Sequence, residues 1–358
     1  MRNTQKFALV CGCMIGTGIL LTAAGYAMGG RVWGITVGNG GLKVNTPDNS
    51  RQSTYEYLEE TRELEKFTDI DINMDFCDLV IEPSDHFGVS YCVDERYHFS
   101  AEVVKGCLTV TQETEPVFGI GSSGNMVFFG TGNITDLWTK DQYIKVYIPE
   151  YANLGSIKIQ NGNGDVTGSG FTAENLELEM NFGSSELNNI SCKTAGIVMG
   201  NGKLNLSDFS GETLTVENEF GDADLSGVSA DKIEIAMGNG KLESRELKGE
   251  TLNISQEFGD ISLKNAQITG SAVITNGNGV CDLVETEVDD LVITSEFGDV
   301  NIVLTDSVSK YTLKLSTEFG KVKINKEDMG STYKSLEEKE KRLTVDCGNG
   351  DIKVESET

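Results

Sequence analysis

Few residues in this 358-residue chain stand in a pattern that marks acid–base or metal chemistry. Its two histidines, His86 and His98, are the natural general bases. Neither sits in a serine or cysteine motif that would make a nucleophile–base pair, so both are read as turn or surface residues. Asp165, Asp222, Asp260, Asp299 and Asp351 each follow a glycine, and the run Asn161-Gly-Asn-Gly-Asp has a faint likeness to the turns of calcium-binding β-rolls. Those rolls close each site with a repeat of about nine residues. Here lysine takes the equivalent place at Lys203, Lys241 and Lys321, so surface charge pairing is the expectation. Gly119-x-Gly-x-x-Gly124 matches a dinucleotide fingerprint, but Met126-Val-Phe-Phe-Gly130 follows it where a helix is required. Carboxylates are so plentiful that some pair must fall at glycosidase spacing by accident. No catalytic, cofactor-binding or metal-ligating residues are therefore assigned, and the chain is expected not to be an enzyme.

The cysteines support the same view. Cys77, Cys92, Cys107, Cys192, Cys281 and Cys347 form no C-x-x-C pair and mostly lie in apolar, strand-like sequence, which predicts buried free thiols.

The elements that hold these residues are set by a repeat. A turn ending in glycine returns at Gly164, Gly183, Gly202, Gly221, Gly240 and Gly259 at intervals of 19 residues. It continues at Gly279, Gly298, Gly320 and Gly350 with intervals of 20, 19, 22 and 30. An insertion at residues 331–342 accounts for the longest gap. Within one unit Leu214 and Val216 alternate with polar residues before the turn, and Ala223 and Leu225 do so after it, the period of strands with one buried face. The abundance of glycine (41) over proline (4) suits short strands joined by glycine turns. One unit cannot bury its apolar face alone, so neighbours must stack as a solenoid of two-strand, ~19-residue repeats.

The turns alternate in spelling. Asn161, Met199, Met237 and Asn276 each begin x-Gly-Asn-Gly, whereas Asn181, Glu219, Glu257 and Glu296 each begin x-Phe-Gly, giving a superperiod of ~38. A coil of 38 residues would stack Phe220, Phe258 and Phe297 on one another, with an asparagine ladder opposite. A coil of 19 would instead set Lys203, Asp222, Lys241 and Asp260 side by side with alternating sign. Both coils remain open, and the charge order favours the shorter.

Residues 67–150 hold less regular strands, at 70–73, 79–82, 89–93, 108–111 and 143–148, interrupted by a glycine-rich loop at 117–138 with Phe128, Phe129 and Trp138. They are expected to begin the solenoid and shield its end. Residues 151–358 carry the regular repeats. Residues 31–66 read as a juxtamembrane spacer containing a short charged piece of helical character, Tyr55 to Lys66.

Phe7 to Gly30 is an uncharged run of 24 residues after Arg2 and Lys6. It is long enough for one transmembrane helix with residues 1–6 in the cytoplasm; a cleaved signal peptide ending near Gly25 or Ala27 is the alternative. Either places the bulk of the chain outside the cell membrane. That part holds 27 basic against 56 acidic residues, a charge of −29, which excludes nucleic acid as a partner.

The segments Tyr143-Ile-Lys-Val-Tyr-Ile-Pro149, Leu154-Gly-Ser-Ile-Lys-Ile159, Asn163-Gly-Asp-Val166 and Phe67-Thr-Asp-Ile-Asp-Ile72, with the recurrent glycine-then-strand units, resemble the DUF4097 family of adhesin-like surface proteins. The resemblance implies a right-handed β-helix at the cell surface, often with an N-terminal membrane helix. It brings no catalytic residues. The expected role is thus an adhesin, or a structural or binding protein of the envelope. Its partners would be the membrane through the N-terminal helix, and cell-wall or surface polymers or an envelope protein. The alternatives are an envelope-stress sensor acting through a membrane partner and a polysaccharide-active β-helix enzyme.

Overall fold

The computed structural model describes residues 34–38, 41–45, 56–95, 97–113 and 141–356. The expected membrane span at Phe7 to Gly30 and the loop 117–138 lie outside these residues. Among the described residues no helix is long and apolar enough to cross a membrane. A two-stranded antiparallel ribbon, Gly34–Gly38 with Gly41–Asn45, belongs to one compact unit. The other unit, residues 56–114 with 142–358, is an all-β solenoid.

The coil is 19 residues long. Asn153 pairs with Thr172, Thr172 with Ser191, and Ser210 with Ser229, always in parallel. Residues that share a phase of the repeat therefore lie directly over one another. Ile72, Ile159, Leu178, Ile197, Val216, Ile235, Ile254, Ile274 and Ile293 make one such buried ladder, with Val345 and Leu315 continuing it. Each side chain contributes about 1.5–3 kcal/mol on burial, but only because the next coil covers it.

Each coil bends at fixed phases. All the glycine turns but that at Gly320 hold positive φ, from 125° at Gly183 to 159° at Gly350. A Cβ at Gly221 would overlap the carbonyl oxygen of Gly202 in the coil below, so the column admits only glycine. Six residues later a second corner takes the left-handed conformation at Gly170, Asn189, Asp208, Gly227, Glu246, Asn265 and Glu285, with φ from 51° to 65°. The sequence reading missed this corner, because its residue types vary. The buried Phe171, Ile190, Phe209, Val228, Leu247 and Ala266 that follow it mark its period. A third bend shows where alternation slips and two outward residues stand together, as at Glu174–Asn175.

The ends depart from simple winding. Strand Asp69–Phe76 lies between Asn153–Asn163 on one side and Cys107–Glu113 on the other. Likewise Asp78–Ser84 lies between Val166–Ser169 and Tyr143–Pro149. The coil that comes first in sequence is thus second in the stack. At the other end Lys341–Asn349 lies between Cys281–Phe297 and Tyr311–Phe319, and Ile352–Ser356 between Val300–Leu304 and Val322–Ile324. The last coil in sequence is wedged between the two before it. Antiparallel strands close both ends: His98–Val104, Gly88–Asp94 and Tyr57–Glu63 at one, and Glu327–Asp328 and Thr332–Lys334 at the other. They occupy edges that would otherwise template pairing with another chain.

The segment expected to be a charged, helical piece is instead strand Tyr57–Glu63. It is recruited by the free edge of Gly88–Asp94, with Thr61 Oγ1 2.7 Å from Ser90 Oγ and the Tyr91 hydroxyl donating to Glu60 at 2.5 Å. The open edge outweighs the local helical pattern.

Lys341 fixes the wedged coil. Its Nζ lies 2.9 Å from Asp306, 3.1 Å from Asp289 and 5.8 Å from the centre of the Tyr311 ring. Burial disfavours its charge, but hydrogen bonds to Asp306 and Asp289 prevail and raise its pKa. Hydrogen bonds from Lys310 and Lys341 lower that of Asp306 below its ordinary 3.8.

Two predictions test this construction. Gly221→Ala should lower unfolding free energy by about 3 kcal/mol or more in urea titration, whereas Gly227→Asn, at a left-handed corner already filled by asparagine elsewhere, should cost less than about 1 kcal/mol. Lys341→Met should lower Tm at neutral pH. Because the pKa of Asp306 is depressed on folding, its contribution is present above pH 3.8 and lost as pH falls through the folded value, so the Tm difference should shrink there.

Candidate binding surface

Several of the residues with chemical potential are engaged by the coil itself. The carboxylates after the turn glycines accept main-chain hydrogen bonds from the neighbouring coil. Asp165 takes the N–H of Ser184, Asp222 that of Lys241, Asp260 that of Val280 and Asp299 that of Asp351, each at 2.8 Å. The expected alternation of Lys203, Asp222 and Lys241 in neighbouring coils is present, but Asp222 holds the Lys241 backbone, and the Lys241 ammonium turns to Glu243 in its own coil. One oxygen of each carboxylate, Oδ1, is therefore already engaged, and among the described residues no group of acids, histidines and cysteines has metal-binding geometry.

His86 Nδ1 lies 2.5 Å from Asp85 Oδ1 and 3.3 Å from Ser84 Oγ. A serine relay needs one ring nitrogen for the acid and the other for the hydroxyl. Here one nitrogen meets both, so the cluster is a turn and not a relay. The hydrogen bond from His86 also lowers the Asp85 pKa. Gly119-x-Gly-x-x-Gly124, Phe128, Phe129 and Trp138 lie outside the described residues.

Asn161, Met199, Met237 and Asn276, which open the x-Gly-Asn-Gly turns, point inward and are buried. In the same column Asn218 and Gln256 also face the core. The amides donate to turn carbonyls: Asn218 to Gly202 at 3.2 Å, Gln256 to Gly240 at 2.9 Å and Asn276 to Gly279 at 2.9 Å. They satisfy oxygens that the corner leaves without a ladder partner.

One line of residues faces outward and is not used by the core. The pairing register runs Phe76, Asn163, Phe182, Asn201, Phe220, Asn239, Phe258, Asn278, Phe297, Asn349, Phe319. Phenylalanine and asparagine alternate at every coil. The wedged coil preserves this order, since Asn349 enters between Phe297 and Phe319, which would otherwise be neighbours. The residue before each member of the line alternates with it, and there a steric cause is visible: a Cβ at Gly238 would press on the Glu219 carbonyl oxygen and one at Gly348 on that of Glu296, so glycine precedes the asparagine beside each Glu-Phe-Gly corner. Phe182, Phe220, Phe258, Phe297 and Phe319 are 51–72% exposed, and among the described residues they are all the exposed phenylalanines. With parallel strands about 4.8 Å apart, successive rings stand roughly 9.5 Å apart. In the sequence Phe182, Phe220, Phe258 and Phe297 were visible as a turn spelling, and the last three as a stack in a 38-residue coil that the register does not form. The consecutive Glu296-Phe-Gly and Glu318-Phe-Gly turns before Gly348-Asn-Gly were the available sign of the swap.

A family profile described as Toastrack DUF4097 matches residues 67–285 and 250–355. The chain belongs to this family. The Toastrack match spans both the irregular first coils and the regular ones, so both are one fold. No curated protein matches the chain. Among solved structures, a candidate adhesin from Bacteroides fragilis is similar at 11% identity and a TM-score of 0.28, with 84% of this chain and 97% of that one covered. A candidate cell adhesion protein from Clostridium sporogenes is similar at 13% identity and a TM-score of 0.18, covering 84% and 100%. A candidate lipid-binding protein from Parabacteroides distasonis has 15% identity and a TM-score of 0.32, covering 83% and 96%.

The thiols of this Toastrack coil are free, and all but the half-buried Cys107 lie inside. Burial pushes Cys281 up to about 12 and Cys192 up to about 11. A maleimide reagent at pH 8 should therefore leave Cys192 and Cys281 unlabelled in the folded protein and label both in denaturant, as read by peptide mass spectrometry.

Proposed function

We propose that this protein is a non-catalytic surface protein, a membrane-tethered and extracytoplasmic right-handed solenoid that acts as an adhesin through its Phe–Asn line. The observation that carries this reading is the line itself. Exposed phenylalanine rings in fixed register on an acidic exterior are a contact surface that the fold does not need for its core. The uncharged run Phe7 to Gly30 behind Arg2 and Lys6 supports the tether and the outward orientation. Right-handed winding is supported by the preference of parallel crossover connections.

The test is retention of the purified full chain on isolated cell envelopes, compared with Phe220→Ser/Phe258→Ser/Phe297→Ser. Retention should depend on the three rings, and protease added to intact cells should digest the chain. Equal retention of both proteins, or a chain protected until the cells are broken, would sink the reading.

A further inference from the structure

We infer that the Phe–Asn line binds a linear β-1,4-linked polysaccharide, neutral or bearing amino groups, with one disaccharide per two coils. The inference rests on the adhesin reading and gives that surface its ligand class.

Three observations converge on it. The first is pitch. Phe182, Phe220, Phe258 and Phe297 recur every second coil, roughly 9.5 Å apart. In a β-1,4-linked glycan successive rings are flipped, so like faces recur once per disaccharide, a distance close to two strand spacings. Each phenylalanine can then take the apolar face of one sugar in register with the next. The second is chemistry. Sugar binding combines an aromatic platform for C–H groups with amides and carboxylates for hydroxyls. The asparagines between the rings and the exposed Glu219, Glu257 and Glu296 beside them supply both. The third is charge. The line runs through a chain of net charge −27, which favours a neutral or cationic polymer and disfavours a polyanion. The same charge opposes a second copy of this chain. Two such lines face to face would bring Glu219, Glu257 and Glu296 of both copies together.

The site has the shape this ligand needs. A flat, repeating edge lets a polymer lie along the solenoid, and affinity then grows with the number of disaccharides engaged.

The experiment uses the full chain on cellulose and chitin beads, with β-1,3-glucan and α-1,4-glucan as polymers of different pitch. Calorimetry with chito-oligosaccharides of increasing length accompanies it. Retention on a β-1,4 polymer should exceed that on the other two. Affinity should rise with each added disaccharide, and Phe220→Ser/Phe258→Ser/Phe297→Ser should weaken binding by about tenfold or more. Phe258→Trp should retain it. The replaced rings are exposed, so Tm should stay unchanged, and circular dichroism verifies that the variants are folded. Equal binding by the serine variant, or no preference among the polymers, overturns the inference. So does concentration-dependent dimerisation that vanishes in the serine variant without any glycan retention, which would assign the line to a second copy. If envelopes retain the wild type but not the serine variant while no β-1,4 glycan does, the adhesin reading stands and the glycan inference fails. If envelopes and glycans alike ignore the rings, both fail.

Discussion

The structure depends on how closely one coil approaches the next at the glycine corner. There the backbone of each turn lies against the carbonyl oxygen of the turn below, and no side chain can intervene. With that contact the coil is 19 residues long over most of its length, and like phases lie over like. The aliphatic ladder, the inward amides and the Asp222-to-Lys241 main-chain bond all follow from that register. A slip of one residue would turn the aliphatic ladder outward and the lysines and glutamates inward.

The same contact explains why two turn spellings exist. Neighbouring corners cannot both be wide, because the Glu219 carbonyl occupies the space that a side chain at Gly238 would need. The glutamate–glycine alternation at this position is thus a packing rule, and the line of rings two coils apart runs in step with it. Binding would exploit a spacing that the backbone already imposes.

Much of this was legible in the sequence, and the illegible parts have physical reasons. The glycine period revealed the solenoid because only one residue type survives at that corner. The left-handed corner was hidden because glycine, asparagine, aspartate and even Glu246 occupy it, each at a tolerable cost in an exposed turn. Tyr57–Glu63 read as helical because its partner edge, Gly88–Asp94, is distant in sequence. The 19-residue coil could be favoured from the signs of Lys203 and Asp222, yet the bond that matters runs from carboxylate to main chain, which a charge pattern does not reveal. The Phe–Asn line was the least legible, since its rings lie in turns whose glycines account for the spelling and since its last members are out of sequence order.

The wedged coil changes how such a molecule must be made. A simple solenoid can grow by adding each new turn to the end of the stack, so a chain emerging in order could fold as it appears. Here residues 311–324 cannot take their final place until residues 341–356 arrive to fill the gap beneath them. Synthesis halted before Lys341 would leave a vacancy inside the stack, with apolar rows on both of its walls. Completion of the chain is thereby written into the architecture as a condition for closing it.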